Sequence, residues 1–348
     1  MKKIIFTIIF LGFLFYNNYS QIVTHFVVGN KIVIQTTSKF VSHDFYYSTG
    51  GEFNKIPVQQ LVFSPDNSTA LWTGWKFTTE DLQNLIIKSE IDIEPEMVFV
   101  EGGTYQMGSE ESYDTEPVHT VSVDDFYIGK YEITNAQFCA FLNDYGSDKV
   151  KSGKYAGQTM ITYSNIRFDG EHDFGIHKEG NHWVPAKGYE ETPVIYVTWY
   201  GANEYCKWLS EKTGKHYRLP TEAEWEFAAR GGNKSHGYKF SGGNDIDEVA
   251  WYLFNTDNPK PVGTKKPNEL GIYDMSGNVW ELCYDWYDEN YYRNSPRYNP
   301  QGPETGEYHV ERGGSYDTPL RYCTVYARGG LYHSESKWKQ GFRVARTP

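Results

Sequence analysis

The chain has 348 residues, enough for two or three domains. A formal charge of −12 repels phosphate backbones and anionic lipid, which disfavours nucleic-acid and peripheral membrane partners. Its 29 Tyr, 20 Phe, 10 Trp and 33 Gly predict short elements joined by long ordered loops, not long helices or a wide regular sheet.

Residues 1–20 read as a secretory signal. Lys2 and Lys3 form its basic start, and an apolar run from Ile4 to Phe15 follows. That run is short for a bilayer span, although an uncleaved anchor is the alternative. Cleavage after Ser20 would place Gln21 at the new N-terminus, with no nearby cysteine for lipid attachment. Export to the periplasm, cell surface or medium is therefore expected, with no transmembrane span in the mature chain.

Residues 22–90 hold short β-rich runs such as Lys31–Gln35 and Leu61–Phe63, separated by turns at Thr49-Gly-Gly51 and Ser64-Pro-Asp-Asn67. This predicts a small β-sandwich module. Residues 91–96 read as a linker, and residues 97–348 as one larger domain.

Three helices are predicted in that domain. Thr134 with Gln137 forms a capping box for the first, which Gly146 can close. The second runs from about Thr198 to Lys212, where Ala202, Tyr205, Cys206 and Leu209 share a face and Gly214 follows. The third follows Pro220, capped by Thr221 and Glu224, with Gly231-Gly232 beyond its end. Residues 147–193 are polar and aromatic without clear period. They include His172, His177 and His182, whose spacing suits loop histidines better than a three-histidine iron site.

Asp274 and Glu281 lie seven apart, with Gly277 permitting a sharp turn between them. Two carboxylates plus intervening carbonyls are oxygen donors of the kind calcium takes. The alternative is that both carboxylates simply accept hydrogen bonds from backbone or from Trp280. The four cysteines, Cys139, Cys206, Cys283 and Cys323, allow three full pairings and contain no CxxC. Cys206 on its apolar face reads as a packed thiol. Trp225, Trp251, Trp280 and Trp286 read as core.

Four segments carry a resemblance to a known family: Met97-Val-Phe-Val-Glu-Gly-Gly-Thr-Tyr-Gln-Met-Gly-Ser109, Arg218-Leu-Pro-Thr-Glu-Ala-Glu-Trp-Glu226, Gly271-Ile-Tyr-Asp-Met-Ser-Gly-Asn-Val-Trp-Glu281 and Arg312-Gly-Gly-Ser-Tyr316. Together they resemble the formylglycine-generating, or sulfatase-modifying factor, family, to which iron-dependent sulfoxide synthases and gliding-motility lipoproteins are also related. The resemblance implies an α+β, C-type-lectin-like fold with few regular elements. Residues 22–90 look like the immunoglobulin-like modules that precede this domain in some bacterial proteins. The family's structural calcium site corresponds to Asp274, Gly277, Val279 and Glu281, with a second site near Ala250–Asn255.

Complete enzymes of the family bind copper(I) through two cysteines and oxidise a substrate cysteine to formylglycine. Here the second cysteine is Cys323, and Thr318 stands in the first position, followed by Pro319. Ser315 matches the serine that lines the oxygen site. A hydroxyl is a hard, poorly ionised donor and does not replace a thiolate toward copper(I), so copper is not expected. Cys283 is the candidate substitute thiol, as a disulfide partner or second ligand of Cys323. Val344 stands where some relatives have a disulfide cysteine. The expected function is an exported, calcium-stabilised binding or scaffold module of the cell envelope, with protein partners and no oxidase chemistry: a pseudoenzyme. The alternative is an oxidoreductase, either formylglycine-generating or a related oxygen-dependent oxidase.

Overall fold

The computed structural model describes residues 94–162 and 174–348, and before them separate segments between 20 and 91. The signal-like residues 1–19 and His172 lie outside the described residues. Two compact units divide between Asp92 and Ile93.

The described elements of the first unit are strands. Ser20–Ile22, Ile86–Ile91, His43–Ser48 and Asn54–Lys55 form one four-stranded sheet in that spatial order. Thr24–Val28, Lys31–Gln35, Thr69–Trp72 and Leu61–Phe63 form a second. Strand Ile86–Ile91 reaches into the run read as a linker from the sequence.

The second unit contains the three expected helices. Helix α1, Asn135–Tyr145, has the reciprocal capping box of Thr134 and Gln137 and ends at Gly146 in the left-handed region. Helix α2, Trp199–Thr213, is capped by the Thr198 hydroxyl and ends at left-handed Gly214. Helix α3, Glu222–Ala229, starts at the Thr221–Glu224 box. Caps of this kind satisfy end groups that the helix itself leaves unpaired.

Two small sheets hold these helices. Tyr217–Arg218, Ala345–Arg346, Phe126–Gly129 and Met97–Val100 form one. Arg328–Tyr332, Tyr308–Arg312, Trp280–Trp286 and Gln340–Gly341 form the other. The C-terminal run Gly341–Arg346 is therefore not one closing strand. Gly341 ends a strand in one sheet and Ala345 begins one in the other, with buried Phe342, Arg343 and Val344 passing between. Trp225, Phe227, Phe126, Ile128 and Val310 anchor the main apolar core. Among the described residues, no helix is long and apolar enough to cross a membrane.

Candidate functional site

Helix α3 carries three carboxylates into the interior, and each meets a guanidinium. Arg328 grips Glu222 with Nε and Nη2, both at 2.7 Å. Arg312 spans two acids, Nη1 to Glu222 at 2.8 Å and Nη2 to Glu226 at 2.6 Å. Arg218 holds Glu224 with two contacts of 2.6 Å. Burial works to raise Glu226, but Arg230 and Arg312 outweigh it and hold the carboxyl below its usual range. The Arg-Leu-Pro-Thr-Glu-Ala-Glu-Trp-Glu segment is thus spent on buried ion pairs, whose acids would be costly to leave alone.

Trp225 links this network to a second one. Its indole donates to Glu281 Oε2 at 2.7 Å, while Arg312 lies over its ring. Glu281 also accepts Arg343 Nε on Oε2 and Nη2 on Oε1, both at 2.6 Å. Ahead of it, the loop passes through Asp274, Gly277 and Asn278, all with positive φ. A Cβ on Gly277 would meet Trp251 O at 2.2 Å, so only glycine fits there.

Asp274 Oδ2 accepts Gly263 N–H at 2.7 Å, while its Oδ1 is buried without a partner. Glu132, also buried, accepts Asn278 Nδ2 at 2.6 Å and Val279 N–H at 3.1 Å. Burial, then Asp274 and Glu281, push Glu132 well above the usual carboxylate range. Burial pushes Asp274 up to about 6 against the opposing Gly263 N–H and Arg343. Three buried acids thus share one guanidinium, Arg343.

The third element is the turn Ser315–Cys323. Thr318 Oγ1 donates to Ser315 O at 3.0 Å and accepts Ser315 N–H at 2.8 Å, so its hydroxyl closes the turn. The same oxygen lies 4.0 Å from Cys323 Sγ. Gly314 takes φ +73, and a Cβ there would meet the sulfur at 2.8 Å. Burial pushes the Cys323 thiol up to about 12, against small opposing contributions from Thr318 and Ser315 N–H. Around the turn, Leu253, Phe254, Leu320, Tyr322 and Trp338 are exposed. Leu253 N–H binds Thr318 O and Tyr316 OH binds Trp338 O, which ties this apolar rim to the turn.

Comparison with known proteins agrees with this geometry. A sulfatase-modifying factor enzyme 1-like domain model matches residues 83–348. The chain belongs to the sulfatase-modifying factor family. It is 34% identical over 280 residues to a formylglycine-generating enzyme of Streptomyces coelicolor, covering 70% of this chain and 87% of that one. It is 37% identical over 235 residues to the serine/threonine-protein kinase pkn1 of Chlamydia caviae. That match covers 66% of this chain but spans only 35% of the relative's length. The solved structure of PvdO from Pseudomonas aeruginosa superposes with a TM-score of 0.57 at 27% identity, covering 74% of this chain and 96% of that one.

The family's copper chemistry needs two thiolates, and the turn offers one buried thiol and one hydroxyl. Cys283 packs in the main core with Trp225 and Val310, whereas Cys323 packs in another apolar cluster with Phe240, Val249 and Tyr252. All four cysteines are free and buried, so no disulfide joins Cys283 to Cys323.

For calcium, the donors differ. The unpartnered, buried Asp274 Oδ1, near the buried carboxyls of Glu132 and Glu281, is an oxygen donor of the kind a divalent cation takes. Asp274 and Glu281 Oε1, with the Gly277 and Val279 carbonyls, are the groups that would hold it. Glu281 serves Arg343 and Trp225 as well, so the alternative hydrogen-bonding role also operates, with Trp225 donating and not Trp280. At the second calcium region, Asn255 is committed to its own loop: it accepts Tyr252 N–H and donates to Asp247 and Ala250 O. His177 and His182 lie on one hairpin, Ile176–Glu179 with His182–Pro185, and His182 is exposed. No cluster of three or more His, Cys, Asp or Glu side chains suited to a metal occurs among the described residues.

Sequence reading missed Glu132 and Arg343. A strand-like Gly-Phe-Arg-Val run with arginine between apolar residues was the available signal, since a buried guanidinium requires a carboxylate. Glu132, two residues before the Thr134 cap, offered none.

Proposed function

We propose that this chain is a non-oxidising member of its family, exported and calcium-stabilised, which binds a protein partner of the cell envelope through the face around Thr318. One observation carries this reading: the Thr318 hydroxyl, committed to Ser315, occupies the place beside the Cys323 thiol. Copper(I) held by one protonated, buried sulfur is weakly bound, and without the metal no oxygen chemistry starts. The exposed Leu253, Phe254, Leu320, Tyr322 and Trp338 support a binding role, because grouped apolar side chains on a soluble domain mark contact sites. The signal-like N-terminus supports export.

The test is incubation of purified protein with copper and a Cys-x-Pro-x-Arg peptide, read by mass. The expected result is an unchanged thiol. The second reading, a formylglycine-generating oxidoreductase, is favoured by relatives that bear that name. Copper-dependent turnover abolished by Cys323→Ser would establish it instead.

A further inference from the structure

Five segments that include neither the Thr318 turn nor its apolar rim enclose a cleft of about 500 Å³. Its walls come from α2, the strand Tyr217–Arg218, the start of α3, the loop at Asn299–Gln301 and the outer side of Tyr284. We propose that this cleft binds a neutral carbohydrate, one or two pyranose rings in size.

Charge excludes the main competitors. Arg218 and Glu224 neutralise one another through two 2.6 Å contacts, and Lys207 is paired with Glu204. Asp124 and Asp125 remain on the rim, so a phosphate or carboxylate ligand meets no free cation and two acids. Those acids do not make a metal site either. Asp125 Oδ1 is used by Gly102 N–H, and Asp124 Oδ2 by Asn299 Nδ2.

The remaining groups suit hydroxyls. Asn203 and Gln301 line the cleft, and their planar amides can each donate and accept, as vicinal hydroxyls require. His216 adds an imidazole on the same rim. The Asn299 loop is fixed by paired contacts with Asp124 and by its N–H to Ser122 O, so the cleft wall is built before a ligand arrives. Tyr284 is 45% exposed, while its main chain is pinned by its N–H to Pro220 O. An open aromatic ring on a pinned main chain offers a stacking face for the C–H side of a sugar. A peptide would need apolar side-chain pockets, and the exposed Tyr284 ring is the main apolar surface available. The volume lies in the range of small-ligand sites, roughly that of a mono- or disaccharide.

The experiment is calorimetry and saturation-transfer NMR on the purified chain with glucose, galactose, mannose, N-acetylglucosamine and neutral disaccharides. Glucose 6-phosphate and glucosamine serve as charged controls. Saturable binding of a neutral sugar is expected. Tyr284→Ala and Gln301→Ala should each weaken it about tenfold or more, which is about 1.4 kcal/mol. Both variants should melt like wild type, and Phe254→Ala, which is not part of the cleft lining, should bind normally. Absence of saturable binding across the neutral panel, preference for a charged control, or binding indifferent to both cleft variants would each overturn the assignment.

Discussion

Arg312 belongs to the α3 network and stands three residues ahead of the Ser315–Cys323 turn, yet the two regions treat the family pattern in opposite ways. In the network, each carboxylate of helix α3 and Glu281 has a guanidinium partner: Glu222 with Arg312 and Arg328, Glu224 with Arg218, Glu226 with Arg230 and Arg312, Glu281 with Arg343. In the turn, Thr318 Oγ1 is bonded to Ser315 and lies 4.0 Å from Cys323 Sγ, so a hydroxyl stands where the resemblance places a thiol. The sequence segments that identify the family are therefore the ones that hold the fold. The proposed loss of oxidase chemistry rests instead on one side chain, Thr318.

The most severe test of that contrast is Arg312→Ala. It strips partners from Glu222 and Glu226, both buried, and breaking a buried pair costs about 3–5 kcal/mol. Urea denaturation should show a loss of that size or an unfolded product. A loss below about 1 kcal/mol would mean that the network relaxes and is not what holds the domain.

Calcium should come next. A ligand bound only by the folded state adds about 2.7 kcal/mol at a hundred times its dissociation constant. Chelation should therefore lower the melting temperature. Asp274→Ala is the informative variant, because Glu281→Ala would also break the Arg343 pair. The expected result is a melting curve of Asp274→Ala that no longer responds to chelator. Wild type with and without chelator melting alike, with elemental analysis finding no trapped ion, would remove calcium from the account.

A smaller effect should arise at His309, which lies between Trp199 and Trp286 with ring centroids at 4.0 and 3.8 Å. Its Nδ1 donates to the carbonyls of Tyr284 and Asp285, and its Nε2 is buried without a partner. Burial lowers its pKa to about 3. A depressed value means that the neutral ring's stability is fully present above about pH 6.5 and is lost progressively as pH falls toward 3. At pH 5 the loss is about 2 kcal/mol. Asp274 and Glu311, raised to about 6 and about 7, work the other way, so the comparison must be with His309→Phe. The variant should lose less stability than wild type between pH 7 and pH 5. Equal losses would show that the ring finds a way to protonate in place.

The helices and the family were legible because their signals are local. Thr134 with Gln137, Thr221 with Glu224, and Gly146 and Gly214 mark ends by capping chemistry that acts within a few residues. The partners of the buried acids were not legible, because each joins residues far apart in sequence: Glu281 to Arg343, Glu222 to Arg328, and Glu132 to Asn278. The split of the C-terminal run between two sheets was hidden for the same reason. That Cys283 and Cys323 pack in different apolar clusters also had no sequence signal, since both are buried thiols.

The mildest change to the fold should be the most telling for chemistry. Thr318→Val removes the hydroxyl that bridges Ser315 N–H and O and should cost about 1–3 kcal/mol. Thr318→Cys replaces the oxygen with a sulfur close to Cys323 Sγ and should cost no more than the valine variant. It should also bind copper(I) far more tightly than wild type, because two soft donors replace one. Competition with a copper(I) chelator measures this directly. The buried Cys323 thiol must lose its proton for the metal to bind, so affinity should rise with pH. Turnover of a sulfatase peptide is a separate matter, since Pro319 and the exposed Leu320 also shape the rim. If Thr318→Cys binds copper no better than wild type, the turn differs from the family site by more than one atom, and the contrast with the α3 network must be redrawn.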